Sequence, residues 1–152
     1  MENGALFSPR KAWAILPLPG KLNATSYQVR VKLRQLPGPK DVFHLILPVA
    51  NRMVGFDLDG FPQAEFYTGL VRVNGRAAGN LPGTVHGKVV KDSEPHDLEV
   101  TVRLDGANAT VNVQFDDRPL YEWTGPTAAL GLDPGWRTTP RGTFDLGTFA
   151  AD

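Results

Sequence analysis

The sequence predicts an all-β fold of two antiparallel sheets packed face to face, and three observations carry that prediction. Apolar residues recur at every second position in several stretches, Gly and Pro interrupt nearly every window long enough for a helix, and Asp-Gly or Asn-Gly pairs punctuate the alternating runs. With 16 Gly and 13 Pro among 152 residues, long helices have little room. The length suits one hydrophobic core, and no linker, charge run or low-complexity tract divides it, so residues 1–152 read as a single β-sandwich domain. No fixed-period repeat is present, which removes propellers and solenoids.

In chain order, a first strand is expected over Trp13 to Leu18. Tyr27, Val29, Val31 and Leu33 then alternate with Gln28, Arg30, Lys32 and Arg34, the period-two signature of a half-buried strand. Phe43, Leu45, Leu47 and Val49 form the next run, followed by Val54, Phe56 and Leu58 against Gly55, Asp57 and Asp59. Shorter runs over Phe66 to Val73 and Val85 to Val90 are expected to be single strands. Leu98, Val100, Val102 and Leu104 are joined to Ala109, Val111, Val113 and Phe115 through Asp105-Gly106-Ala107-Asn108, a strong local signal for an antiparallel hairpin. Leu120 to Trp123, a turn near Thr127 to Leu132, and a strand over Thr143 to Phe149 complete the series. Turns are expected at Asp59-Gly60, Asn74-Gly75 and Asp116-Asp117-Arg118-Pro119. The final strand reads as a penultimate one, so a C-terminal closing strand is expected to be missing after Asp152.

Sixteen Lys plus Arg balance sixteen Asp plus Glu. A chain with no net charge has no uniform basic field for nucleic acid or an anionic membrane, and neither is expected as a partner. The absence of cysteine excludes disulfides, thiolate zinc sites, iron–sulfur clusters and a cysteine nucleophile. No stretch approaches the roughly 20 apolar residues of a membrane span, and Met1-Glu2-Asn3-Gly4 has no basic region leading into an apolar run. Neither a signal peptide nor a transmembrane segment is therefore expected in this chain, and the compartment is left open.

Several stretches together resemble a known family. Leu16-Pro17-Leu18-Pro19 leads into Tyr27-Gln28-Val29-Arg30-Val31, then Leu45-Ile46-Leu47-Pro48-Val49 and Asp57-Leu58-Asp59-Gly60. Later come Val73-Asn74-Gly75-Arg76, the Leu98 to Gly106 hairpin, Pro119-Leu120-Tyr121-Glu122-Trp123-Thr124-Gly125-Pro126 and Leu132-Asp133-Pro134-Gly135-Trp136. This succession resembles the concanavalin A-like (laminin G-like) jelly-roll domains of planctomycete-type bacteria, relatives of the 3-keto-disaccharide hydrolase-like domain, over roughly Trp13 to Phe149. The resemblance implies a jelly-roll sandwich serving as a sensing or sugar-binding part of a larger bacterial protein, beside other domains of its parent. Two departures matter. Phe61 stands where the family usually has Trp after its Asp-Gly turn, and the family's His-bearing terminal strand is not in the sequence.

For glycoside hydrolysis, two carboxyl groups must flank the scissile bond. Asp57 and Asp59 are the only tight acidic pair on a strand, roughly 6–7 Å apart if both point to one face. His44 would be their helper. The laminarinase-like pattern Glu-x-Asp-x-x-Glu expected of the superfold is absent, so no catalytic residues are assigned. The pair is expected to be a solvated strand end, with Asp59 opening a turn. His44 should face away from Phe43 and Leu45, alongside Ile46, either exposed or hydrogen-bonded. No metal ligands and no cofactor are assigned. Calcium is the one cation that Asp57, Asp59, Asp116 and Asp117 would suit, without EF-hand spacing, and His44, His86 and His96 lie too far apart for a zinc motif. Ser8, Ser26 and Ser93 are the only serines, and none lies in a nucleophile motif.

Aromatic side chains suit sugar recognition because a pyranose face stacks on a flat ring. Trp13, Trp123, Trp136, Tyr67, Tyr121 and Phe61 are available. Trp123 shares a face with Tyr121 and is expected in the core, whereas Trp136 lies in a loop and is expected to be exposed. The ligand-binding set drawn from these considerations is Phe61, Trp136, Arg137 and Arg52, with Arg141 as a further donor. The expected function is a non-catalytic ligand-binding or sensing module, carbohydrate-directed. The alternatives are a glycoside hydrolase acting on oligosaccharides and a structural spacer.

Overall fold

Side chains that alternate at every second residue sort the strands into two facing sheets, as the sequence predicts. The computed structural model describes residues 14–20, 22, 26–35, 41–60, 65–136 and 142–150. Its strands are β1 (Ala14–Pro17), β2 (Tyr27–Leu33), β3 (Asp41–Val49), β4 (Arg52–Gly60), β5 (Tyr67–Leu70), β6 (Arg72–Val73), β7 (Arg76–Ala77), β8 (Val85–His86), β9 (His96–Asp105), β10 (Asn108–Phe115), β11 (Arg118–Pro126) and β12 (Asp145–Ala150). A six-stranded sheet runs β1-β12-β3-β4-β5-β8, and a four-stranded sheet runs β11-β10-β9-β2. All pairings in both sheets are antiparallel. The one helical element among the described residues is a 3-10 turn at Thr127–Ala129. None of the described helices is long and apolar enough to cross a membrane.

The core lies between the sheets. Leu45, Leu47, Phe56 and Leu58 from the six-stranded sheet meet Leu98, Val100, Val111 and Val113 from the four-stranded one, all of them buried. Tyr121 and Trp123 sit opposite Val113 and Val111 across the β10–β11 ladder, so both turn toward this core, as expected for Trp123. The β9–β10 hairpin closes through Gly106 at φ 56°, and the β6–β7 hairpin closes through Asn74 and Gly75, both in the left-handed region that a two-residue turn requires.

Three local expectations are corrected. Phe66 to Val73 is two strands: the chain stays against β4 as far as Val71, whose amide donates to the Gly55 carbonyl at 2.8 Å, and from Arg72 it pairs with β7 instead. Val85 to Val90 keeps only two strand residues: Gly87 turns the chain at φ 93°, and the Val89 and Val90 amides go to a side chain instead of a ladder. Asp59-Gly60 is not a turn between strands. Asp59 does take φ 57°, but β4 continues through Gly60, and the extra residue is absorbed as a bulge against β5.

Candidate functional site

Each sheet has an outer face, and the two are built differently. On the six-stranded sheet, alternation places Leu45 and Leu47 in the core and His44 and Ile46 on the outside, yet both outer residues are 0% exposed. This outer face is covered. His44 lies across from Asp57 in the β3–β4 ladder, and its Nδ1–H donates to Asp57 Oδ1. The Tyr67 hydroxyl donates to the other carboxylate oxygen of Asp57 at 2.5 Å. Burial, reinforced by the Asp57 carboxylate, pushes the Tyr67 hydroxyl far above the ordinary phenol range, so it stays protonated as a donor. His44 Nε2 has no hydrogen-bond partner among the described residues.

Trp136 forms the cover. Its ring stacks on His44 with centroids 3.8 Å apart and planes 6° from parallel. The chain reaches this position by a series of fixed contacts. Val73 bridges Leu130, the Asn74 amide donates to the Ala129 carbonyl at 2.7 Å, and the Gly131 amide donates to the Arg72 carbonyl at 3.2 Å. Asp133 then turns the chain by accepting the Gly135 amide on its side chain and the Trp136 amide on its carbonyl. Two glycines make room beneath the rings. A Cβ at Gly55 would lie 2.6 Å from His44 Cε1, and one at Gly147 would lie 2.8 Å from Trp136 Cζ3.

Several expected site residues are thereby relocated. Trp136 is buried, at 6% exposure, because a loop can fold back onto a sheet as readily as it can project into solvent. Asp57 and Asp59 are not a solvated strand end; they are 4% and 2% exposed. The bulge between them breaks simple alternation, and Asp59 turns to the chain after β8, where it accepts the Val89 and Val90 amides at 2.6 and 2.9 Å. Burial raises the Asp59 pKa, and those two amides oppose the rise. Arg52 is exposed at the start of β4, five residues and roughly 17 Å along the strand from Asp57. It therefore does not frame Trp136. Phe61, Arg137 and Arg141 lie outside the described residues.

Asp57, Asp59, Asp116 and Asp117 are not gathered either. The first two belong to β4 and the others to the β10–β11 turn, and no three potential metal ligands converge among the described residues. Asp116 instead holds His96, accepting from Nδ1 at 2.8 Å, while Asp92 accepts from Nε2 at 3.0 Å. An imidazole that donates from both nitrogens is an imidazolium, and these carboxylates raise the His96 pKa, the hydrogen bond to Asp116 most of all. The same hydrogen bond lowers the Asp116 pKa. Sequence reading had no signal for this clasp, because Asp92 and Asp116 are 4 and 20 residues from His96 and sit in irregular segments before and after the hairpin, while His96 opens β9.

The outer face of the four-stranded sheet is open. Gln28, Thr101, Asn112 and Glu122 fall in register across β2, β9, β10 and β11, a polar row roughly 14 Å long at ordinary strand spacing. They line a trough of about 550 Å³ together with Glu99, Arg103 and Gln114. Its charged groups are balanced: Arg30, on the same face, holds Glu99 at 2.6 Å, and Arg103 and Glu122 carry opposite signs. These residues are the outward halves of the alternating runs in the sequence. Reading them only as the solvated side of strands missed that four strands bring them into one row.

No family model and no curated protein matches the chain.

Proposed function

We propose that the protein is a non-catalytic binding module that takes an uncharged, polyhydroxylated ligand, a carbohydrate, along the outer face of its four-stranded sheet. The observation that carries this reading is the in-register row Gln28, Thr101, Asn112 and Glu122 at the floor of the trough. Amide, hydroxyl and carboxylate groups alternate donors and acceptors along it, which suits a ligand rich in hydroxyls. At the trough the charges balance, Arg30 and Arg103 against Glu99 and Glu122, which favours a neutral ligand there. This reading agrees with a jelly-roll, concanavalin A-like sandwich acting as a sensing part of a larger bacterial protein.

Hydrolysis by Asp57 and Asp59 with His44 is the weaker reading. A glycosidase needs two carboxyl groups open to the sugar, whereas these two are buried and already accept hydrogen bonds from His44, Tyr67, Val89 and Val90.

The test is a glycan array followed by an NMR titration with the best neutral oligosaccharide. Shifts should concentrate on β9 and β10, and Asn112→Ala should weaken binding about tenfold, the loss of roughly one well-placed hydrogen bond. Its folding stability should change by less than about 1 kcal/mol, as for a half-buried polar residue outside the core. Shifts centred on β3 and β4, or turnover of the oligosaccharide, would move the site to the covered face. An array with no binder would leave the spacer reading in possession.

A further inference from the structure

The geometry points to the outer long edge of β2, which has no strand partner among the described residues, as a docking edge for an extended segment of another protein in which apolar and acidic residues alternate. β2 is the last strand of the four-stranded sheet and pairs only with β9 among the described residues. Its inward side chains show that the core is open on the far side. Tyr27, Val29 and Val31 are only half-buried, while the residues directly across from them, Val102, Val100 and Leu98, are 0% exposed. Fraying does not explain this, because the pairing with β9 continues over all seven residues. A strand laid along the outer edge of β2 would cover the exposed flank of these side chains and satisfy the unpaired backbone groups of the edge.

The other sheet edges are already blunted. β8 has two residues, and the four residues of β1 end in Pro17. β11 carries Pro119 and Pro126, and Gly83 lies so close to it that a Cβ there would be 3.3 Å from the Glu122 carbonyl oxygen. β2 has neither proline nor bulge.

Charge decides the occupant. The outward row of β2 is Gln28, Arg30 and Lys32, continued by Arg34. Arg30 is neutralised by Glu99 and Asp117, and Lys32 lies opposite Asp97 in the ladder, whereas Arg34 has no acidic residue across from it among the described residues; neither Lys32 nor Arg34, both exposed, is in an ion pair among them. A second copy is disfavoured. Two-fold antiparallel pairing of β2 with itself in the one register that uses the whole strand would set Arg30 against Arg30, and like charges directly opposite each other are destabilising; a shift that sets Arg30 against Gln28 avoids this only by giving up two of the seven residue pairs. The same cations attract a strand with carboxylates at alternate positions.

Two end-capped peptides of about seven residues, a common strand length, serve as probes: one alternating valine with glutamate, the other valine with lysine. The glutamate peptide should bind about tenfold or more tightly than the lysine peptide and slow hydrogen exchange at β2 amides. Lys32→Glu combined with Arg34→Glu, both at exposed positions, should reverse that preference while leaving the far-ultraviolet spectrum unchanged. The inference is overturned if neither peptide binds, if both bind equally, or if protection falls on β1, β8 or β11. Sedimentation showing a dimer that protects the β2 edge would also overturn it, in favour of a second copy. None of these outcomes depends on whether the trough binds carbohydrate.

Discussion

The outer faces of the two sheets use the same alternation to opposite ends. On the six-stranded sheet the residues turned away from the core, His44, Ile46 and Asp57, are buried, with Trp136 stacked on His44 and Val71 beside Gly55. On the four-stranded sheet the equivalent positions, Gln28, Thr101 and Asn112, form an open polar row. Polar residues on the covered face must find partners within the protein, because water no longer supplies them. Asp57 accordingly takes two donors and Asp59 takes two amides. The residues with the most reactive side chains are thus occupied with holding the fold, while the open row pairs only partly within itself, the Gln28 side-chain amide donating to Glu99 at 2.8 Å and to Thr101 at 3.4 Å. Chemical type alone is a poor guide to which role a residue plays.

The contrast breaks most severely at Trp136. Trp136→Ala should cost about 3–5 kcal/mol, as for other buried aromatic truncations, and should expose His44 to solvent. Urea unfolding checks the first effect, and histidine ring resonances that become sensitive to solvent exchange check the second. A stability change below about 1 kcal/mol would mean that the cover contributes little.

Asp59→Asn is the next largest. Asparagine tolerates φ 57° as aspartate does, but it offers one acceptor oxygen to the two amides of Val89 and Val90. One buried amide is left unpaired, at about 1–3 kcal/mol. Calorimetry or urea unfolding should show that loss, with faster hydrogen exchange confined to the segment after β8.

The smallest effect belongs to the rim of the open sheet. The folded pKa of His96 lies above its ordinary value of 6.5, so its clasp contributes fully below pH 6.5 and is lost as pH rises through the folded value. For Asp116, whose folded pKa is lowered, the contribution is present above the ordinary carboxylate range and lost as pH falls through the folded value. Urea midpoints should therefore decline as pH rises above 6.5, and His96→Gln should remove that decline. A slope unchanged in the variant would assign it to another group.

How much of this was legible in the sequence depended on how far apart the interacting residues lie. The β9–β10 hairpin and the inward placement of Trp123 were readable, because both follow from alternation and a two-residue turn within a few positions. The open polar row was half readable: each outward residue was evident, but their alignment depends on the order of strands in the sheet. The covered face was not. That Trp136 would stack on a histidine 92 residues earlier is a fact of tertiary packing with no local signature. The shortening of Val85 to Val90 has a similar origin, since the Asp59 carboxylate 30 residues away captures the amides that a strand would have used.

The placement of β12 also bears on how the chain reaches this arrangement in time. β12 is inserted between β1 and β3, so Ala14 finds its partner Thr148 only after almost the whole chain is available. The β9–β10 hairpin closes through two residues and can form early, whereas the β1–β12 ladder must close a loop of well over a hundred. During synthesis, β1 would wait without a sheet neighbour while the hairpins assemble, and the Trp136 cover would dock in the same late stage. Folding of this domain is expected to finish with the β1–β12 and β12–β3 ladders, so that the six-stranded sheet is completed last.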